Sequence, residues 1–310
     1  MKENIKTALN QDGFKGYYYE VESCKNEAVI CLTGLDGKDP LSNAFVKYFL
    51  NKGLNVLSVA LNQLEKPDTG VSLWDLEYIE KAIAFLKDRE IEKIAMCGIS
   101  MQAAISLAAA SYFHDISMVI AFSPADYIPW GFMQGLYKEY KKAEWPTGKS
   151  LLRYRGEALP YLHSPMEKKE YWAKFCKDTA YFHEQHSKEI FELAEENRDI
   201  EEDMYIKAEN IKGRIVLIGA HDDSMWDSKR YIKRMTKRLK NAEFAYPVDA
   251  ITYDCGTHLL VPRDLLNGAF PMVGSLIYLM YNSGRKHFRE CARSRVLLEE
   301  RLNAIIEEWK

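Results

Sequence analysis

Short apolar runs recur along the chain, each bounded by turn residues and followed by a stretch in which apolar positions take a helical spacing. Ala28–Thr33, Asn55–Ala60, Lys93–Met96, Ile116–Phe122, Arg214–Ala220 and Ala250–Tyr253 continue apolar without alternation, which predicts strands covered on both faces. Helical signals fall between them. Leu41 to Asn51 is one, closed by Gly53 as a C-terminal cap. Another runs from Ser72 to about Arg89, where Ser72 followed three residues on by Asp75 reads as a capping box. Ala103–Ala110 and a last amphipathic stretch from about Arg285 to Trp309 complete the set. Strands alternating with helices imply parallel crossovers and a doubly wound α/β sheet. The opening differs: Gly16–Glu22 and Ala28–Thr33, joined by a short polar connection, predict an antiparallel hairpin at the sheet edge.

From about Asp126 to Tyr205 the alternation stops and the sequence turns aromatic and charged, with a helix-like run from Met166 to Asn197. An inserted helical lid is the simplest reading. It divides the chain into a first part of the core (1–125), a lid (126–210) and a second part of the core (211–310). Trp130, Phe132, Met133, Tyr137, Trp145 and Tyr161 could wall an apolar pocket for an acyl chain or form the core of the lid itself. No internal repeat or low-complexity tract interrupts the pattern.

Composition narrows the partners. At 310 residues with 47% hydrophobic and 28% charged, the chain can bury a large single core, and a net charge of −3 argues against nucleic acid and anionic membranes. The segment Met1–Lys6 lacks an apolar core of signal-peptide length, and no apolar run is long enough to span a bilayer, so a soluble cytoplasmic protein is expected. The six cysteines are scattered without a C-x-x-C pair, which predicts neither zinc nor a disulfide framework, and Cys97 and Cys255 are read as packing residues. His183, Glu184, His186 and Glu189 read as the solvated face of a helix, because no H-E-x-x-H spacing is present. No metal and no cofactor is expected, and the chain lacks phosphate-binding glycine loops.

Chemistry concentrates at three strand ends. Ser100, in Cys97-Gly98-Ile99-Ser100-Met101-Gln102, follows an apolar strand and precedes an alanine-rich helix, so a tight corner displays its hydroxyl beside free helix N–H groups. The strand Arg214–Ala220 ends near Asp222-Asp223, and Ala250–Tyr253 leads into Asp254-Cys255-Gly256-Thr257-His258. Serine, acid and histidine in that order, each beyond a strand's carboxyl end, suit acyl transfer: Ser100 as nucleophile, His258 as base, Asp223 as its orienting acid, with Asp222 the alternative. One of the two acids could instead cap the helix starting near Asp227. Oxyanion donors are expected from the backbone N–H of Met101 and of Leu35, in the turn Thr33-Gly34-Leu35-Asp36-Gly37.

These segments resemble the α/β-hydrolase fold and, more narrowly, the C-terminal catalytic domain of acyl-CoA thioester hydrolases and bile acid-CoA:amino acid N-acyltransferases, with dienelactone-hydrolase-like enzymes as neighbours. The resemblance rests on Leu76–Ile83 leading to Gly98-Ile99-Ser100, on Phe122-Ser123-Pro124 with Trp130, on Asp222–Trp226 and on Gly256–Leu260. It covers most of the chain from about Ala28 outside the insert. It implies that Ser100, Asp223 and His258 occupy triad positions, and Trp130, Trp226 and Gln102 are expected to border the substrate. The chain departs from the family in two places: Gln102 replaces a usual glycine, and fewer than thirty residues precede the first core strand, where the long enzymes carry a β-sandwich. The expected function is serine hydrolysis of a small-molecule ester or thioester. An acyltransferase using the same triad and a non-catalytic binding protein are the alternatives, and a homodimer is allowed for.

Overall fold

Strands buried on both faces need helices above and below them, and the chain supplies both layers. The computed structural model describes residues 5–23, 26–63, 70–133, 148–164, 169–197, 201–269 and 274–310. The first part contains β1 (Ile5–Thr7), α1 (Leu9–Asp12), β2 (Gly16–Tyr19), β3 (Glu27–Leu32), α2 (Pro40–Leu50), β4 (Asn55–Val59), the two-residue strands β5 (Gly70–Val71) and β6 (Trp74–Asp75), α3 (Glu77–Lys87), β7 (Lys93–Ile99), α4 (Met101–Tyr112) and β8 (Ile116–Phe122). Between β8 and β12 lie β9 (Phe132–Met133), β10 (Leu152–Tyr154), β11 (Glu157–Ala158), α5 (Lys169–Phe182) and α6 (Lys188–Asn197). The last part holds β12 (Arg214–Ala220), α7 (Ser228–Asn241), β13 (Val248–Tyr253), α8 (Arg263–Ala269), α9 (Asn282–Lys286) and α10 (Phe288–Trp309).

Eight strands form one sheet in the order β1-β2-β4-β3-β7-β8-β12-β13, parallel from β4 to β13. Successive residues feed opposite cores. Ile30, Met96, Val119 and Leu217 pack with α3, α4 and α7 on one side, whereas Val29, Cys97, Ile120 and Ile218 pack with α2, α8 and α10 on the other. That period of two, apolar in both phases, explains the uninterrupted runs. Cys97 is fully buried in the second core, where burial pushes its thiol well up, whereas Cys255 is half-buried. Among the described residues no helix is long and apolar enough to cross a membrane.

Three expectations need correction. β2 is antiparallel and near the edge, but it pairs with β4 and β1 rather than with β3, so Gly16–Glu22 and Ala28–Thr33 make no hairpin. β3 is covered on both sides by parallel neighbours, and the two segments are separated by the width of β4. The helix expected from Ser72 begins at Glu77, and no side chain caps it. Leu73 has φ 53, outside the helical region, and β6 pairs in parallel with β10, while the buried Trp74 indole donates from Nε1 to Leu61 O at 2.8 Å. The described part of the run expected from Met166, Lys169–Asn197, is two helices broken at His183 (φ 54). There Glu184 turns inward and accepts the Asn282 N–H at 2.6 Å, so its carboxylate is buried and not part of a solvated helix face.

The segment between β8 and β12 is tied down at both ends. Asp126 and Glu195 share Arg234, at 2.5 Å from Asp126 Oδ1 to Nη2 and 3.1 Å from Glu195 to Nη1, while Tyr231 donates to Glu195 at 2.5 Å. The turn before α6 docks on the loop after β12: the Ser187 and Lys188 amides donate to Ser224 O at 3.0 Å, and Ser187 Oγ donates to Met225 O at 2.7 Å. Tyr161 donates to Gly148 O at 2.7 Å, while Tyr137 and Trp145 lie outside the described residues.

Candidate active site

All polar groups of interest sit beyond the carboxyl ends of β3, β7, β8, β12 and β13, because parallel strands end together on one edge. β7 gives way to α4 in a single residue. Ser100 carries the corner at φ 61, ψ −127, a conformation a side chain adopts only when its surroundings enforce it. They do so here. The Ser100 amide is held by Phe122 O at 2.8 Å, and its carbonyl accepts from Ala103 N and Ala104 N in the first turn of α4. Gly98 makes the close approach possible, since a Cβ there would fall 2.3 Å from Gln102 O and 2.5 Å from Ser106 Oγ. The run of small residues in α4 follows from the same crowding: Ala103 to Ser111 is buried all round.

Ser100 Oγ lies 2.9 Å from His258 Nε2, and His258 Nδ1 lies 3.0 Å from both carboxylate oxygens of Asp223. Distances of this kind let a proton pass from hydroxyl to imidazole while the carboxylate fixes the ring and offsets its charge. Asp223 is fully buried, and its Oδ1 also accepts from Met225 N at 2.9 Å. Asp222 has a different task. Its Oδ1 accepts the Gly256 and Thr257 amides at 2.9 and 2.8 Å, holding the turn that bears the histidine, and burial raises its pKa despite those bonds. Neither acid caps α7. That place belongs to Asp227, which accepts from Arg230 N at 3.0 Å.

The remaining expected residues divide. Met101 and Gln102 form the first turn of α4, where an N–H has no acceptor within its own helix, which puts the Met101 amide next in the chain to Ser100 at the positive end of the helix. Leu35 is corrected: its N–H donates to Asp39 Oδ2 at 2.9 Å, and Asp39 is immobilised because its Oδ1 caps α2 through the Leu41 and Ser42 amides. Gly34 leaves room for that carboxylate, which a Cβ would meet at 1.9 Å. Gln102 is half-buried, and its carbonyl accepts Ser106 Oγ at 2.8 Å. Trp226 stands edge-on to the His258 ring at 4.9 Å. Trp130 is one step removed, stacked on Phe191 of α6 at 5.1 Å, with Phe191 in turn edge-on to Trp226 at 5.6 Å. An aromatic file therefore connects the segment between β8 and β12 to the imidazole.

Ser123 carries no role in the sequence reading beyond ending a strand. Buried and at φ 45, it donates from Oγ to His258 O at 2.7 Å, and its own carbonyl accepts Trp226 Nε1 at 3.2 Å. Its position directly after β8, with Pro124 behind it, was the signal available.

Solved structures with a similar fold include an esterase of Pyrococcus furiosus, matched over 90% of this chain and 91% of that one with a TM-score of 0.51 at 15% identity. A second crystal form of that esterase gives 0.50 at 14% identity, over 90% of each chain. An acylaminoacyl peptidase of Pyrococcus horikoshii matches 79% of this chain and 35% of its own, with a TM-score of 0.46 at 13% identity. No curated relative matches the sequence. The likeness to the esterase establishes an α/β-hydrolase fold. The model of the family described as BAAT / Acyl-CoA thioester hydrolase C terminal matches residues 74–263, a stretch that begins at the buried Trp74 and closes just past the histidine turn. Serine, acid and imidazole all fall inside that hydrolase-type stretch, which is more than half of the sequence, and the chain belongs to this family.

Proposed function

We propose that the protein is a serine hydrolase that cleaves a carboxylic ester or thioester through an acyl-enzyme. Ser100 Oγ attacks the acyl carbonyl carbon as its proton passes to His258 Nε2. The resulting oxyanion faces the Met101 amide and the α4 N-terminus. Collapse expels the alcohol or thiol, which takes the proton from His258, and water then repeats the sequence against the acyl-Ser100 ester to release the acid. Asp223 stabilises the imidazolium in both halves. The observation carrying this reading is the continuous line of contacts from Ser100 Oγ to His258 and on to both oxygens of Asp223, reached at a strained elbow. Gln102 does not displace the hydroxyl from the imidazole, which favours catalysis over binding alone. We read the chain between β8 and β12 as a lid whose α6 covers the imidazole side of the site through Phe191 and Trp226.

The test is labelling by a fluorophosphonate probe followed by peptide mapping, together with turnover of a panel of p-nitrophenyl esters and acyl-CoA thioesters. Label on Ser100, lost together with turnover in Ser100→Ala, is the expected result. A folded protein that neither labels nor turns over any acyl substrate would overturn the proposal. Added amines and alcohols distinguish hydrolysis from acyl transfer by the product formed.

A further inference from the structure

We infer that Arg295, on the C-terminal helix α10, is a positioning residue for His258, because its guanidinium pins the turn on which the imidazole is carried. This rests on the proposal that Ser100, His258 and Asp223 form the catalytic relay. Arg295 is fully buried, and its hydrogen bonds go to carbonyl oxygens of one turn: Nη1 to Leu259 O and, at 3.2 Å, to Val261 O, and Nη2 to Gly256 O at 3.3 Å. The Tyr278 ring covers it at 4.1 Å from Cζ. The same turn is held from its other side by Asp222, through the Gly256 and Thr257 amides, and by Ser123 Oγ, through His258 O.

The turn needs such a grip. Thr257, next to the histidine, sits at φ 64, a backbone state that persists only when neighbouring groups determine it. Burying a guanidinium is itself unfavourable, and here desolvation pulls its pKa down to about 10, so it remains a cation at neutral pH. An apolar side chain of similar volume would pack into the same space without that cost. What it lacks is a rigid fork of donors wide enough to bind carbonyls on both sides of His258, and lysine, a single ammonium, lacks it too.

The experiment compares the full-length protein with Arg295→Met and Arg295→Lys. Folding is followed by circular dichroism and melting, the number of functional sites by fluorophosphonate titration, and kcat and KM are expressed per titrated site. A loosened imidazole predicts a fall in kcat on the order of 10²-fold for Arg295→Met, a smaller fall for Arg295→Lys, and KM within about threefold of wild type, since a shift of about 1 Å in a reacting group is costly to the chemical step. A purely structural role lowers the titrated fraction or the melting temperature and leaves kcat per site unchanged, and that outcome overturns the inference. So does a loss confined to KM. If Arg295→Met does not fold, Arg295→Lys decides by the same criterion, and failure of both to fold assigns Arg295 to folding alone and likewise overturns it. Failure of the underlying relay is distinguishable, because the wild-type protein would then not be labelled at Ser100.

Discussion

Substituting alanine for Gly98 tests whether the elbow is held by packing beneath it. The added Cβ would lie 2.3 Å from Gln102 O, where ordinary contact begins at 3.4 Å, so about 1.1 Å of clearance is missing (3.4 less 2.3). The obstructing oxygen is main chain in the first turn of α4, and relief requires that turn to retreat from β7, carrying Ser100 and the Met101 amide with it. Overpacking of this kind costs about 1–3 kcal/mol. With an unfolding entropy of about 2.1 cal/mol/K per residue, a chain of 310 residues loses about 1.5 °C per kcal/mol, so the melting temperature should fall by about 2–5 °C. Displacing the proposed nucleophile by about 1 Å should lower turnover on the order of 10²-fold, a far larger effect than the loss of stability. Calorimetry gives the first quantity. Hydrolysis of a short p-nitrophenyl ester, normalised to fluorophosphonate-titrated sites, gives the second. Gly53→Ala is the control: at φ +74 with nothing within 4 Å, it should cost about 1–2 kcal/mol of backbone strain and leave turnover per site unchanged. Full turnover per site in Gly98→Ala would refute the reasoning, whatever the melting temperature does.

Asp223→Asn keeps the size of the side chain but removes the charge opposite the imidazolium, and kcat should fall by roughly 10³- to 10⁴-fold with little change in KM, measured by steady-state hydrolysis. Arg234→Met strands the buried Asp126 carboxylate and should destabilise the protein by about 3–5 kcal/mol in a urea melt; replacing Asp126 by leucine in the same chain should recover part of that loss. Asp222 binds its proton more tightly in the folded protein than in the unfolded chain, because burial raises its pKa. The stability this gives is complete below the unfolded value near 3.8 and fades as pH rises through the folded one. Asp222→Asn keeps an acceptor for the Gly256 and Thr257 amides without that fading, so its melting temperature relative to wild type should rise between pH 4 and pH 7. A pH-independent difference between the two proteins sinks this account of Asp222.

Much of the candidate site was legible because its parts are local. A nucleophile elbow is built from neighbours in sequence, so strand, Ser100 and the small residues of α4 identify themselves without any distant contact. The same holds for the strand ends that deliver Asp223 and His258. Where the reading failed, a long-range partner had displaced a local preference: the Ser72–Asp75 capping signal yields to pairing with β10, Leu35's amide is taken by the cap of α2, and the helical run around His183 breaks to send Glu184 to Asn282. Position on the loop favoured Asp223 over Asp222 as the partner of the imidazole but left Asp222 open, since a one-residue difference on a loop decides only which way each carboxylate turns. Ser123 and Arg295 were silent for a related reason, as each bonds to the turn that bears His258 from an element far away in the chain.

The sequence by itself determined the class of fold and the three strand ends where chemistry would gather, because apolar periodicity and residue order are written along one dimension. Which strands became neighbours, which of two adjacent acids met the imidazole, and which buried side chains brace the histidine turn were decided only by the tertiary structure. Those choices depend on competition for hydrogen-bond partners and for buried volume among residues brought together by folding, and neither quantity exists until the sheet has closed its layers.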